Sequence, residues 1–152
     1  LARGLKTQLA PTNGAMGYGV PAGIAASILS GRTVFTIAGD GDPVDVLVIT
    51  PFPVIPGVVV RCRALGVLKM NDEAGDDAKL LAVPEDKILP IYSHWKQASD
   101  IHPMRLNAIQ HFFEHYKDLE EGKWVKILGW EGPQSAMREI TEGIDNYQKL
   151  HG

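Results

Sequence analysis

Aliphatic and β-branched residues gather into short segments along much of the chain. The segments VDVLVIT, AKLLAV and KWVKILGW have the composition and length of β-strands. The run VVVRCRALGVLKM is too long for one buried strand, so we expect two strand halves or one bent strand with Gly66 at the bend. The segment PFPVIPG has to turn, because proline cannot sit inside a paired strand.

Two amphipathic helices are predicted toward the end of the chain. Pro103 suits the first turn of a helix over residues 103–119, where apolar residues recur at helical spacing. Met137, Ile140 and Ile144 mark a second helix that is apolar on one side. Several short strands followed by helices predict an α+β domain that is mainly β, built around a small barrel.

The first 38 residues differ from the rest of the chain in their local composition and in the elements that they predict. NGAMGYGVPAG is typical of turns, IAASIL of a short helix and RTVFTIAG of a strand. The order loop, helix, strand makes this part atypical of the fold predicted for the remainder. The composition of the chain changes after the aspartates that follow this strand.

The composition is that of a single globular domain. The chain has 152 residues, of which 45% are hydrophobic and 22% charged, enough to build a sizeable core. Its net charge of −3 offers no basic surface, so we expect neither a nucleic-acid nor a membrane partner. Cys62 is the only cysteine, which excludes an internal disulfide and favours a reducing cytoplasm.

Two clusters of acidic residues carry the candidate chemistry, each at a strand end or turn. Oxygen-only ligands favour hard cations such as Mg²⁺ or Ca²⁺ over zinc. The EF-hand pattern fits poorly, because Asp45 stands where that loop needs glycine. On spacing alone, solvated turns are the alternative to a metal site. The clusters are Asp40, Asp42 and Asp45 in AGDGDPVDV, and Asp72, Glu73, Asp76 and Asp77 in NDEAGDDA.

The predicted helix in HFFEHYKDLE offers two further candidates. Tyr116 and Lys117 could both contact a phosphate, although a lysine at a helix end also suits the helix dipole. His111 and His115 fit H-x-x-E-H and lie one helical turn apart, as zinc ligands would. No third ligand is marked, so we favour ordinary surface histidines. Cys62 has no histidine near it in sequence and is expected to be an inert thiol.

Taken together, the motifs resemble soluble family I inorganic pyrophosphatases over residues 39–150. The resemblance lies in DGDPVDVLV, RCRALGVLKMNDEAGDDAKLLAV and HFFEHYKDLEEGKWVKILGW, and D-G-D-P-V-D is a highly specific signature. It implies an OB-like five-stranded β-barrel with flanking helices. It also implies hydrolysis of pyrophosphate to two phosphates with several Mg²⁺ ions, which Mn²⁺ can replace, in a cytoplasmic homo-oligomer.

The resemblance also suggests a role for each candidate residue. Asp42 looks like the base that accepts a proton from the attacking water, and Glu73 like a supporting carboxylate. Lys79, Tyr116 and Lys117 resemble the groups that bind phosphate oxygens. By position in the motifs, the residues that look like metal ligands are Asp40, Asp42, Asp45, Asp72 and Asp77.

The N-terminal part departs from that family. Its members begin with strands that supply further charged and tyrosine side chains to the phosphate site, and residues 1–38 do not show that pattern. Residues 1–41 are instead similar to thiamine-diphosphate enzymes of the acetolactate synthase type, in which the aspartate of G-D-G holds the cofactor's Mg²⁺. Asn71 lies near the distance where that motif expects asparagine, but we treat it as coincidence. The chain therefore resembles a chimera joined at GDGD, and the two resemblances divide it into residues 1–38 and residues 39–152, of which we expect the second part to fold as one unit.

Three hypotheses follow for the function. The first is a pyrophosphatase weakened by its replaced N-terminus, since one lost electrostatic donor can lower a rate by roughly 10²-fold or more. The second is a folded but inert domain that binds metal or phosphate. The third, a fragment of a thiamine-diphosphate enzyme, is disfavoured because such enzymes place the cofactor between large domains of two subunits.

Overall fold

The computed structural model describes residues 43–51, 53–54 and 59–151. Within these ranges, a mixed sheet of four strands is covered by one helix on each face. Two short 3-10 turns, Pro90–Tyr92 and Ala98–Asp100, lie between the third strand and the first helix. In chain order, the elements are β1 (Asp45–Val48), β2 (Cys62–Asp72), β3 (Gly75–Pro84), α1 (Pro103–His115), β4 (Val125–Glu131) and α2 (Pro133–His151).

The sheet has the strand order β1-β3-β2-β4, and β1 alone runs parallel to its neighbour. The strands β2 and β3 form a hairpin in which Asp72 pairs with Gly75, and β4 pairs antiparallel with β2. In the parallel pair, Asp45 lies opposite Lys79. The start of β1, the start of β3 and the end of β2 therefore meet at one end of the sheet, which we call the acidic end.

Apolar residues alternate along the central strands and supply a separate core to each helix. Leu68 and Met70 of β2 face α1, where Phe113 covers them. Val67 of β2 and Leu80 of β3 point the other way, toward α2. This alternation is the period of two that a strand imposes on its side chains. The α2 side is completed by Val44, Ala136 and Ile140, with Met137 and Ile144 packed against them.

The strand β2 bends at a bulge between Ala64 and Gly66, as predicted from the sequence. The backbone at Gly66 is closely packed, because β4 and the 3-10 turn Ala98–Asp100 both approach it. A Cβ built on Gly66 would lie 2.5 Å from the carbonyl oxygen of Glu131 and 3.2 Å from Cβ of Ala98. Glycine is therefore required at this position by space rather than by backbone angle.

Residues 84–102, where sequence signals are weak, are held by one side chain of β2. Arg63 donates to the carboxylate of Asp86 at 3.0 Å, to the carbonyl of Tyr92 at 2.5 Å and to the carbonyl of Trp95. A planar guanidinium can satisfy three such acceptors at once. The segment thus gains a defined path without a long regular element.

Two boundaries differ from the sequence prediction. The acidic segment NDEAGDDA is not one turn, because only Glu73 and Ala74 lie between β2 and β3 and the other residues belong to the strands. The helix predicted over residues 103–119 ends at His115. There the chain tightens into a turn, in which the N–H of Asp118 donates to the carbonyl of His115 at 3.1 Å.

The predicted five-stranded barrel is found only in part. In the described ranges the strands form an open sheet with β1 and β4 at its edges, so closure stays a prediction. The predicted strand in RTVFTIAG and the rest of residues 1–42 lie outside those ranges. Neither α1 nor α2 has an apolar stretch long enough to cross a bilayer.

Substitution Gly66→Ala is expected to lower the free energy of unfolding by about 1–3 kcal/mol, because the new methyl group would press on backbone of β4. Urea denaturation of both chains measures the difference. Gly132→Ala is the matched control, since a Cβ there meets nothing within 4 Å. Its expected cost is at most about 1 kcal/mol, from a poorer N-cap on α2. Equal losses in the two variants would contradict the packing argument.

Candidate active site

Lys79 lies between two carboxylates at the acidic end of the sheet. Its Nζ is 2.5 Å from Oδ2 of Asp45 and 2.8 Å from Oδ2 of Asp77. Asp45 comes from the parallel neighbour β1, and Asp77 is two positions before Lys79 on the same face of β3. Because Lys79 is only 7% exposed, these carboxylates supply the counter-charge that a buried ammonium needs.

The environment of Lys79 favours its charged form. Burial disfavours the ammonium, but the contacts with Asp45 and Asp77 outweigh it and raise the pKa of Lys79 above its ordinary value. The ring of Phe113, on α1, has its centroid 5.9 Å from Nζ, within the range of a cation–π contact. Lys79 is therefore a fixed positive charge at neutral pH, with an aromatic ring beside it.

Lys117 forms a second group of ion pairs, with the β2–β3 hairpin. The turn after α1 brings its Nζ to 2.7 Å from Oδ2 of Asp72 and 3.0 Å from Oε1 of Glu73. The remaining oxygen of Asp72 accepts the N–H of Ala74 at 2.8 Å. Both oxygens of Asp72 thus have a donor, and this ties the end of α1 to the hairpin.

These contacts stabilise both charges in the second group. Burial favours the neutral acid at Asp72, but its hydrogen bonds from Lys117 and Ala74 hold its pKa below the usual value. Burial likewise opposes the charge on Lys117, while Asp72 and Glu73 raise the pKa of Lys117 well above its usual value. The pair is therefore fully ionised at neutral pH.

Tyr116 lies between the two groups. Its ring stacks on Phe112 at 5.9 Å between centroids and forms a T-shaped contact with Phe113 at 5.6 Å. Burial raises the pKa of the Tyr116 hydroxyl, and the charges of Lys79 and Lys117 partly oppose that rise. The phenol is consequently protonated at neutral pH and available as a hydrogen-bond donor close to both lysines.

Most of the residues proposed from the sequence lie together at this end of the sheet. Asp40 and Asp42 lie outside the described residues, so their roles stay predictions. Phe113 was not among the candidate site residues, and its contact with Lys79 was missed because helical spacing does not show which strand a ring will cover. The residues brought together are Asp45, Asp72, Glu73, Asp77, Lys79, Tyr116 and Lys117.

The donor chemistry of this site suits a hard cation. All the acidic side chains in it offer carboxylate oxygens, which Mg²⁺ prefers. They converge in pairs, one pair on each lysine ammonium. Among the residues that the structure describes, no three histidine, cysteine or acidic side chains are grouped so that they could hold a metal ion. A full ligand set would therefore need further donors, for which Asp40 and Asp42 are the predicted candidates.

The other sequence candidates lie away from the lysines or are unreactive. The rings of His111 and His115 are 4.5 Å apart on the exposed side of α1, and His115 contacts Asp118 at 2.8 Å. The described part of the chain groups no third ligand with them, so a zinc site gains no support. Burial raises the pKa of Cys62 to about 12, which agrees with the expected inert thiol.

Comparisons with known proteins bear on the whole arrangement. The sequence profile of the family described as inorganic pyrophosphatase matches residues 21–148. An inorganic pyrophosphatase of Ralstonia nicotianae is 60% identical over 114 residues, which cover 75% of this chain and 65% of that protein. One of Escherichia coli K12 is 56% identical over 110 residues, covering 72% of this chain and 62% of that protein. The solved structure of an inorganic pyrophosphatase from Coxiella burnetii matches with a TM-score of 0.71 and 53% identity, covering 73% of this chain and 66% of that one.

The extent of these matches matters for the division of the chain. The chain spans about two thirds of the length of these relatives, 65% and 62% for the two sequences. The family profile begins at residue 21, so it reaches into the segment 1–38 that also resembles thiamine-diphosphate enzymes. The boundary at residue 38 and the second resemblance stay predictions.

The ion pair of Asp72 predicts a pH-dependent contribution to stability. A carboxyl whose pKa is lowered by folding stabilises the protein above its unfolded pKa, near 3.9, and loses that effect as the pH falls through the folded pKa. Asp72→Asn should therefore lower the free energy of unfolding by about 1–3 kcal/mol at pH 7 and have little effect near pH 2. Urea denaturation from pH 7 to pH 2, with EDTA present, measures the difference.

Asp76→Asn is the control for this series. Asp76 is exposed in the same hairpin and has no ion pair among the described residues. Its replacement should change stability by less than about 0.5 kcal/mol at any pH. A loss in Asp72→Asn that is the same at pH 7 and pH 2 would show that the charge of Asp72 is not the cause.

Proposed function

The chain belongs to the inorganic pyrophosphatase family, and from this premise we propose that it hydrolyses inorganic pyrophosphate to two phosphates. The observation that carries the proposal is the meeting of two lysines and a tyrosine with four acidic side chains at one end of the sheet. Pyrophosphate is highly anionic, so its binding needs fixed positive charges. Its hydrolysis also needs a water from which a proton is removed, and carboxylates can serve that step and hold metal ions.

We propose Mg²⁺ as the cation, with Mn²⁺ as a substitute. When bound, such ions neutralise phosphate charge and lower the pKa of the attacking water. The described carboxylates support this choice because oxygen donors match a hard cation. The residues proposed to hold the ions are Asp40, Asp42, Asp45, Asp72 and Asp77.

The remaining side chains bind the substrate, accept a proton or support another side chain. Lys79 and Lys117 are charged at neutral pH and attract phosphate oxygens. Tyr116 is protonated and donates a hydrogen bond to a phosphate oxygen. Asp42 accepts the proton of the attacking water. Glu73 supports Lys117, which it contacts at 3.0 Å.

The proposal extends to the setting of the enzyme. We take residues 39–152 as the pyrophosphatase-like part and residues 1–38 as a replaced segment, so that the rate falls below that of relatives with their own N-terminal strands. We place the protein in the cytoplasm as a homo-oligomer, with pyrophosphate as its partner and neither nucleic acid nor membrane.

An inert metal- or phosphate-binding domain is the second candidate function. One observation favours it, because Asp45, Asp72 and Asp77 are already neutralised by lysine ammonium groups. The third hypothesis, a thiamine-diphosphate enzyme fragment, depends on residues 1–41, which lie outside the described ranges, and it stays a prediction.

Release of phosphate from pyrophosphate in the presence of Mg²⁺ tests the proposed function. We expect turnover above background in the unaltered chain and a decrease in kcat of roughly 10²–10⁴-fold in Asp42→Asn, because the general base is lost. Asp76→Asn, an exposed acid with no proposed role, should retain the activity of the unaltered chain.

The other outcomes separate the alternatives. Saturable Mg²⁺ binding without any phosphate release would support the inert domain. Protection of the chain against heat by thiamine diphosphate would support the third hypothesis, since a ligand stabilises the form that binds it. Equal activity in Asp42→Asn and the unaltered chain would remove Asp42 from its proposed role.

A further inference from the structure

All the described carboxylates that we assign to the cation are held by lysine. Asp45 and Asp77 share Nζ of Lys79, at 2.5 and 2.8 Å. Asp72 has one oxygen on Nζ of Lys117 and the other on the N–H of Ala74. Each carboxylate oxygen keeps a further lone pair, so a cation that binds Asp72 either adds to these donors or displaces one of them, and the more mobile donor is the lysine side chain rather than the backbone.

Lys117 is more fully engaged than Lys79, whose ion pairs among the described residues are those with Asp45 and Asp77. Nζ of Lys117 lies 2.7 Å from Asp72 and 3.0 and 3.3 Å from the two oxygens of Glu73. An ammonium has three N–H donors, so these three acceptors use all of them. In this arrangement Lys117 has no donor left for a phosphate oxygen.

A divalent ion and an ammonium that bind the same carboxylate weaken each other's binding. Both are cations, and two positive charges about 4 Å apart repel strongly where water is scarce. Asp72 is 9% exposed, so screening by water is weak there. Occupation by one cation therefore weakens binding of the other.

Glu73 provides a second anchor for Lys117. Its carboxylate is more exposed than that of Asp72, with 31% against 9% of the side chain accessible, and we assign it no place among the metal ligands. An ammonium released from Asp72 can remain on Glu73. Lys117 is then held at the site, with a donor free to turn toward an anion.

We propose that Lys79 and Lys117 compete with the divalent cation for the acidic end of the sheet, so that metal binding releases them to bind phosphate. The inference rests on the proposed function, because it takes these carboxylates as metal ligands. It adds an order to the reaction, in which the cation binds first and the lysines become phosphate ligands afterwards. Before that exchange, the lysines stabilise the carboxylates against their mutual repulsion.

The competition is tested by titrating the complete chain with Mn²⁺ and measuring the bound ion by electron paramagnetic resonance. Lys117→Met removes the ammonium that competes with Mn²⁺ for Asp72. Mn²⁺ then no longer has to break the hydrogen bond between Lys117 and Asp72, so we expect it to bind about tenfold more tightly. Lys117→Arg keeps a cation on Asp72, and its Kd for Mn²⁺ should stay near that of the unaltered chain. Lys117→Gln replaces the methionine variant if that variant fails to fold.

Lys123→Met is the control for loss of charge alone. Lys123 lies close enough to interact electrostatically with Glu73 and Lys117, but its Nζ forms an ion pair with Glu120 at 2.7 Å. Removing it deletes the same charge without freeing a proposed ligand, so Mn²⁺ affinity should change by about threefold or less.

The possible results distinguish this inference from the proposed function. Saturable Mn²⁺ binding with the same Kd in Lys117→Met and the unaltered chain would support the metal site but overturn the proposed competition. Equal tightening in Lys123→Met would overturn it too, by showing that net charge is the cause. Absence of Mn²⁺ binding from the unaltered chain and every variant would overturn both the proposed metal site and the proposed competition. Tightening confined to Lys117→Met or Lys117→Gln supports the exchange.

Discussion

An ammonium inside a protein needs a counter-charge, and this requirement joins three elements at the acidic end of the sheet. Lys79 of β3 is 7% exposed and depends on Asp45, which only the parallel neighbour β1 can supply. Lys117 links the turn after α1 to the hairpin through Asp72. Loss of Lys79 or Lys117 would leave the carboxylate of Asp77 or Asp72, which are 19% and 9% exposed, without its ammonium partner. The pairing therefore holds the register of β1 as well as the position of α1.

The same face of the sheet changes from apolar to charged along its length. On β2, the face toward α1 runs from Leu68 through Met70 to Asp72. On β3 it runs from Lys79 back to Asp77, opposite those residues. Phe113 covers the boundary, since it packs on the apolar residues and also contacts the ammonium. The charged site thus begins where the apolar core ends, and packing against that core restricts the movement of the charged side chains.

Groups that stabilise the fold here are also the groups that the proposed chemistry needs. Carboxylates and lysines neutralise each other in the structure, and a metal ion with an anionic substrate would supply each with a new partner. Three carboxylates and two lysines would then change partners without any of them becoming unpaired. That conserves the electrostatic balance of a partly buried site, where an isolated charge is costly. Family membership agrees with this picture and extends over residues 21–148.

Local pattern predicted the four described strands, both described helices and the bend at Gly66, because alternation and helical spacing are encoded by neighbours in sequence. The roles of the site residues came from the family resemblance of their motifs. Local pattern could not predict that α1 would end at His115 or that the acidic segment would pair as strands, since distant lysines neutralise its charges. The partner of each lysine, and the ring beside Lys79, follow from strand register and helix packing. Those contacts join residues far apart in the chain, and only folding brings them within hydrogen-bonding distance.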